Sequence, residues 1–232
     1  GEPDMQIRSL GVAAAGAWGT ALAMQGARAG LATTLWARRP DAAAAIATSR
    51  VNPDYLPGAV LPPEITVTAQ LAEALAGDAV LYVQPAQHLR AFCTAARGAW
   101  RAGTPLVLCA KGIELGSGLL LTDVAAELLP EAPVAVLSGP SFASEVGGGL
   151  PTAVVIASPD SVLNEAVMQA LSHGAFRPYG SLDPVGVELA GAAKNVLAIA
   201  CGIVIGKGLG ENARAALVTR GLAELAGLAH AP

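Results

Sequence analysis

Residues Ile7 to Met24 read IRSLGVAAAGAWGTALAM. Ile7, Leu10 and Val12 make an apolar run, small residues interrupt it, and a helix-forming segment follows. That order predicts strand, tight turn, helix. The turn Ala14-Ala15-Gly16-Ala17-Trp18-Gly19 is the dinucleotide-binding pattern G-x-G-x-x-G with alanine at the first glycine. Gly16 lets backbone approach a pyrophosphate, and Gly19 lets the new helix pack tightly on the strand. The helix start offers free N–H groups and partial positive charge to phosphates. Small residues at such a turn also serve plain close packing, so the surroundings have to decide. At Ala14 a Cβ crowds the turn if φ must be positive.

The surroundings favour a nucleotide. A second strand is predicted at Thr33 to Trp36, which completes a βαβ unit. Arg38 and Arg39 follow it. A basic residue there suits the 2′-phosphate of NADP, where an acidic one would suit the ribose of NAD. Two solvated arginines at a strand end are the plainer alternative.

Strand and helix signals then alternate. Helices are expected at Trp18–Ala29, Asp41–Thr48, Leu71–Ala76, Leu89–Ala99, Leu119–Leu128 and Val162–Leu171. Strands are expected at Thr66–Thr68, Asp78–Val83, Pro105–Cys109, Val134–Leu137, Ala153–Ala157 and Ala175–Pro178, with a loop over Asn52–Gly58. This predicts an α/β chain with an open, mostly parallel sheet of Rossmann type. Ligands bind at the carboxyl ends of such strands. The turn at Ala14–Gly19, Arg38-Arg39, Pro85, Lys111-Gly112 and Gly139–Ser141 should therefore face one crevice.

From Gly186 the character changes. GVELAGAAKNVLAIACGIVIG predicts a long helix buried on most faces, then a glycine-rich break at Gly206–Gly210 and a helix over Asn212–Leu228. Residues 1–184 are expected to form the cofactor domain and residues 185–232 the start of an all-α substrate domain.

Bulk composition excludes several classes. The 232 residues carry a net charge of -4 and only 14% charged residues, with no basic face, so nucleic acid is not an expected partner. Mean hydropathy is high at +0.51. The longest apolar candidate, Val196–Ile205, is interrupted by Gly202 and stopped at Gly206-Lys207, so no membrane span is expected. The acidic start, GEPDMQ, is the reverse of a signal peptide. Cys93, Cys109 and Cys201 are widely spaced, and His88, His173 and His230 form no cluster. Reduced thiols, a cytoplasmic location and no metal site are expected.

Two lysines suggest chemistry. Lys111 ends a predicted strand at the crevice edge, where it can bind an anion or simply face solvent. Lys194 lies mid-helix among small and apolar residues. Burial there would lower its pKa and make it a general base, unless its head snorkels to water. Asn195 beside it either orients a substrate hydroxyl or caps a kink. Ser138-Gly139-Pro140-Ser141 offers N–H groups and hydroxyls at a strand end. Ser141 lacks the G-x-S-x-G elbow of a hydrolase nucleophile. Hydride transfer needs no nucleophile, only a bound nicotinamide, a proton acceptor and groups that hold the substrate.

The chain resembles bacterial NAD(P)-dependent glycerol-3-phosphate dehydrogenases over nearly its whole length. The resemblance runs through AGAWGTALA (Ala15–Ala23), LWARR (Leu35–Arg39), NPDYLPG (Asn52–Gly58) and KGIE (Lys111–Glu114). It continues through LSGPSFASEV (Leu137–Val146), GVELAGAAKNVLAIACG (Gly186–Gly202) and LGENARAALVTRGLAEL (Leu209–Leu225). It implies reversible conversion of dihydroxyacetone phosphate and NADPH or NADH into sn-glycerol 3-phosphate, a phospholipid precursor, by a homodimer. It implies Lys194 as the proton acceptor, with Lys111, Gly139, Ser141 and Asn195 at the substrate. Cofactor contacts are implied at Gly16, Ala17, Trp18, Gly19, Arg38, Arg39, Tyr55, Lys111 and Ala143. Family members continue past TRGLAEL with segments that supply an aspartate and an arginine–asparagine pair. This sequence holds neither, so the helical domain is expected to be partial, and a nucleotide-binding module without turnover is the rival expectation.

Overall fold

The computed structural model describes residues 5–229; the acidic start at residues 1–4 and His230 lie outside them. In chain order the elements are β1 (Ser9–Ala13), α1 (Ala17–Arg28), β2 (Ala32–Trp36), α2 (Pro40–Ser49), β3 (Val51–Asn52), β4 (Leu56–Val60), β5 (Thr66–Thr68), α3 (Leu71–Leu75), β6 (Ala79–Tyr82) and α4 (Leu89–Ala96). There follow β7 (Leu106–Leu108), α5 (Leu121–Leu128), β8 (Val134–Ser138), α6 (Ala143–Gly147), β9 (Thr152–Ala157), α7 (Ser161–Leu171), β10 (Phe176–Ser181), α8 (Pro184–Gly206) and α9 (Glu211–Ala229).

Eight strands form one sheet in the order β10-β9-β8-β7-β6-β1-β2-β5. All neighbours are parallel except β8 and β9. Alternation along each strand sends side chains to two cores. Leu10 and Val12 of β1, Leu81 of β6 and Val107 of β7 join one core, with Leu22 of α1, Ile46 of α2, Val146 of α6 and Leu163 of α7. Ala13, Val80, Tyr82, Leu106 and Leu108 face the other, with Leu75 of α3, Phe92 of α4 and Val124 of α5. Burial on both faces explains why the strands read as continuous apolar runs rather than alternating ones. Close approach of α3 to β1 depends on Gly11, where a Cβ would lie 1.7 Å from the Ala74 carbonyl oxygen.

The loop expected over Asn52–Gly58 is instead largely a β-hairpin, in which β3 and β4 pair antiparallel with Asn52 opposite Leu56. The Pro53-Asp54-Tyr55 turn carries the loop-like composition. Leu56 and Asn52 are buried and anchor the flanking strands.

The expectation of a helix at α8 is met, but burial on most of its faces is not. Only Glu188 and Gly191 are buried. Val196 is 70% exposed, and Ile199 and Ile203 are also exposed. The helix packs on β8, β9 and α9. The α8–α9 crossing is so close that a Cβ at Gly221 would sit 2.4 Å from Leu197 Cδ1. Apolar composition marks surface that favours burial; it does not specify what buries it. Gly202 does not interrupt the helix, which ends at Gly206 as expected. By length and composition α8 can cross a membrane, which corrects the expectation that no segment is long enough. Its polar residues Glu188 and Lys194 nevertheless engage groups at the sheet edge, as described next.

Candidate active site

The carboxyl ends of β1, β2, β6, β7 and β8 share one edge because these strands are parallel. The turn after β1 is built tightly. Ala14 has a φ of 139°. At Gly19 a Cβ would lie 1.9 Å from the Ala14 carbonyl oxygen, so this position admits only glycine. Gly16 has extended backbone and forms the N-cap of α1, without a side-chain cap or an acidic residue in the first turn. The first helical bond runs from the Thr20 N–H to the Gly16 carbonyl at 2.9 Å. A Cβ at Gly16 would meet no protein atom within 4 Å. Gly16 is therefore free of packing demands, and the N–H groups of Ala17, Trp18 and Gly19, in the first turn of the helix, have no intrahelical acceptor. This cradle fits a pyrophosphate.

Other candidate cofactor residues surround it. Trp18 is half-buried against the core. Arg38 and Arg39 both follow β2 and are exposed, but they differ. Arg39 donates through Nε to Asp41 Oδ1 at 3.2 Å and forms a second bond to that carboxylate. This pairing raises its pKa further. Among the described residues Arg38 makes no ion pair, which leaves it the freer cation. Tyr55 is 59% exposed on the hairpin turn. Ala143 opens α6 and is half-buried; α6 is tied to α1 by Arg28, which donates to the Val146 carbonyl at 2.7 Å.

The helix that carries Lys194, α8, lies over Lys111. Lys111 follows β7, is half-buried, and donates through Nζ to the Gly139 carbonyl at 3.3 Å. Burial, and then the adjacent Lys194 ammonium, bring the Lys111 pKa down to about 8. The geometry corrects the expectation that Lys194 is buried: it is exposed, and the depressed amine is Lys111. The physical reason is that α8 approaches the sheet along one narrow strip. Gly191 on that strip faces Ser138 and Lys111, and a Cβ there would lie 3.3 Å from Ser138 Oγ and 3.5 Å from Lys111 Cγ. The cleft between α8 and the sheet is lined by Lys111, Ser138, Glu188 and Gly191, among others. Gly139 reaches the pair through its carbonyl, whereas Ser141 is half-buried and no hydrogen bond joins it to either lysine. Asn195 is exposed, and α8 runs through it unbroken.

Four residues that composition and motif do not single out hold this edge together. Asn52 is buried and donates to the Ala15 carbonyl at 2.8 Å and to Thr20 Oγ1 at 2.9 Å, pinning the nucleotide turn from the hairpin. Gln87 grips the loop after Lys111: its Nε2 donates to the Ile113 carbonyl at 2.9 Å, and its Oε1 accepts from the Leu115 N–H at 2.8 Å. Arg90 forks onto Glu114 in the same loop at 2.9 and 3.0 Å. Glu188 is 5% exposed and accepts from the Thr122 N–H and hydroxyl. An asparagine just before a proline turn reads as loop chemistry, and an isolated glutamate on an apolar helix was the only sequence signal for Glu188.

Comparison with known proteins matches this geometry to one family. Residues 9–164 match the model for the N-terminus of NAD-dependent glycerol-3-phosphate dehydrogenase, and residues 183–232 match the model for its C-terminus. The chain is 57% identical over 226 residues to a glycerol-3-phosphate dehydrogenase [NAD(P)+] of Rhodospirillum rubrum, covering 97% of this chain and 65% of that one. It is 56% identical over 225 residues to the corresponding enzyme of Caulobacter vibrioides, covering 97% of this chain and 68% of that one. It thus spans about two thirds of the length of these curated relatives. The crystal structure of glycerol-3-phosphate dehydrogenase from Coxiella burnetii superposes with a TM-score of 0.89 at 40% identity, covering 97% of this chain and 69% of that one. With a Rossmann-type sheet, a glycine-turn phosphate cradle and these matches in hand, the chain belongs to the NAD-dependent glycerol-3-phosphate dehydrogenase family.

Proposed function

We propose that the chain is the cofactor-binding and lysine-bearing part of an oxidoreductase that reversibly reduces dihydroxyacetone phosphate to sn-glycerol 3-phosphate with NADPH or NADH. In this proposal residues 1–184 hold the cofactor, and residues 185–232 begin a helical substrate and dimerisation domain. The protein works in the cytoplasm as a homodimer and supplies a phospholipid precursor.

One observation carries the proposal: α8, which bears Lys194, lies over Lys111, which is anchored on the Gly139 carbonyl at the strand edge that also carries the glycine turn. A bound reduced nicotinamide supplies the hydride. Lys194 delivers a proton to the substrate carbonyl oxygen during reduction and takes it back in the reverse direction. Lys111, anchored on the Gly139 carbonyl, holds the substrate oxygens and adds positive charge for the phosphate. Gly16, Ala17, Trp18 and Gly19 hold the pyrophosphate, Arg38 and Arg39 border the ribose, and Tyr55 and Ala143 flank the cofactor. Ser141 and Asn195 complete the substrate side.

A second proposal, a nucleotide-binding module without turnover, is favoured by the exposed apolar face of α8 at Val196, Ile199 and Ile203. Titration with NADPH, followed by nicotinamide fluorescence, and then addition of dihydroxyacetone phosphate separates the two. Binding with oxidation supports the enzyme, and binding without oxidation supports the module. Absence of binding refutes both.

A further inference from the structure

We propose that Glu188 is a positioning residue: its buried carboxylate, seated on the first turn of α5, fixes α8 so that Lys194 reaches Lys111. It stands out on its helix. Only Glu188 and Gly191 of α8 are buried, and Glu188 is the charged one of the two. Both carboxylate oxygens are used within the protein. Oε1 accepts from the Thr122 N–H at 3.1 Å, and Oε2 accepts from the Thr122 hydroxyl at 2.6 Å. Each oxygen already has a partner in α5, and the carboxylate acts by holding α8 in place over Lys111.

The connection to the lysines is short. Thr122 lies in the first turn of α5, whose N-cap, Leu120, provides no side-chain cap. Glu188 accepts one of the N–H groups that such a helix start leaves free. The segment leading into α5 begins with Lys111. It is held at its middle by Gln87 and Arg90 and at its far end by Glu188. The clamp therefore references α8 directly to the segment that carries Lys111. Glu188, Gly191 and Lys194 recur every third residue, so Lys194 sits roughly 9 Å along the helix axis from the clamp. A tilt of about 15° about Glu188 would carry Lys194 by roughly 2 Å. Displacements of ~1 Å at reacting groups can cost on the order of 100-fold in rate. Burial raises the Glu188 pKa, and the Thr122 bonds oppose that rise.

The proposal rests on Lys111 and Lys194 being the working pair, so the test reads their geometry rather than turnover. The probe is 1,5-difluoro-2,4-dinitrobenzene, a short amine-to-amine cross-linker, applied to the 232-residue chain with the products located by mass spectrometry. A parallel series of acetic anhydride pulses gives the pH midpoint of Lys111 acylation. The titratable groups beside Lys111 are Lys194 from α8 and the Cys109 thiol just after β7, whose pKa burial pushes up; Glu188 lines the same cleft. The wild-type chain should give a Lys111–Lys194 cross-link. Glu188→Ala should lower its yield at least 5-fold and move the Lys111 midpoint upward, because the neighbouring ammonium has moved away. Glu188→Gln, which can still bond Thr122, should restore both to within 2-fold of wild type. A folded Glu188→Ala chain with unchanged yield and midpoint overturns the proposal. If Glu188→Ala does not fold, Thr122→Val, which removes one donor, takes its place against Glu188→Gln. A midpoint that rises in Thr122→Val and holds in Glu188→Gln supports the clamp, and any other pattern overturns it. A wild-type chain with no cross-link refutes the lysine pairing itself, independently of Glu188.

Discussion

Ala14 occupies a backbone conformation suited to glycine, with a φ of 139°. Ala14→Gly should therefore stabilise the chain. A non-glycine residue held at such a φ stores of order 1–3 kcal/mol, centrally about 2. Glycine returns about 0.4–1 kcal/mol of that through the greater freedom of its unfolded chain. The half-buried methyl group gives up roughly 0.4 kcal/mol more, half the value of a fully buried one. The net gain is about 1 kcal/mol, or roughly 2–4 °C in Tm for a chain of this size. The assay is thermal unfolding followed by Trp fluorescence, with Ala15→Gly as the control. Ala15 is also half-buried but has no positive φ, so its replacement should lower Tm by a comparable amount. Opposite signs at adjacent positions would isolate backbone strain from glycine entropy. An unchanged or lower Tm for Ala14→Gly would refute the reasoning. The affinity for NADPH should stay the same or increase, since the Gly16 cradle gains room to relax.

Asn52→Ala removes two hydrogen bonds from a buried carboxamide and leaves the Ala15 carbonyl without that donor; it should cost about 1–3 kcal/mol in urea unfolding and weaken NADPH binding through a loosened turn. Arg38→Ala should weaken NADPH far more than NADH in paired titrations, whereas Arg39→Ala, whose guanidinium is engaged by Asp41, should weaken NADPH less; equal losses at both positions would mean neither reads the 2′-phosphate. In Lys194→Ala the pH midpoint of Lys111 acylation should rise from about 8, yet stay below the ordinary lysine value because burial still acts. The linkage has a definite sign: between about pH 8 and the ordinary value the unfolded chain binds more protons at Lys111 than the native one, so Lys111 makes stability rise with pH across that window, and the window should narrow in Lys194→Ala.

Much of the fold is legible in short-range chemistry. Apolar runs bounded by glycine and proline mark β1, β6, β7 and β8, because parallel strands buried on both faces need no polar alternation. The turn from Ala14 to Gly19 could be placed between strand and helix, and Lys111 and Gly139 fell at strand ends, since these follow from element order alone. The hairpin at β3–β4 was not legible: its pairing depends on the burial of Leu56 and on Asn52 reaching Ala15 and Thr20, far back in the chain. The difference between Arg38 and Arg39 was equally hidden, because Asp41 takes one and leaves the other only once α2 has turned.

By itself, then, the order of residues determined the alternating α/β architecture, the tight strand-to-helix turn at Ala14–Gly19 and the placing of the two lysines, because local periodicity and turn chemistry act over a few residues. Only the tertiary structure decided that Lys111 is covered and its pKa lowered. Lys194 sits in the more apolar sequence, and composition assigned it the burial. In the folded chain α8 touches the sheet along the strip of Glu188 and Gly191, so Lys194 is exposed while Lys111 is half-buried under the helix laid across it. A side chain's proton affinity is set by the groups around it in space, and those groups come from elements far apart along the chain.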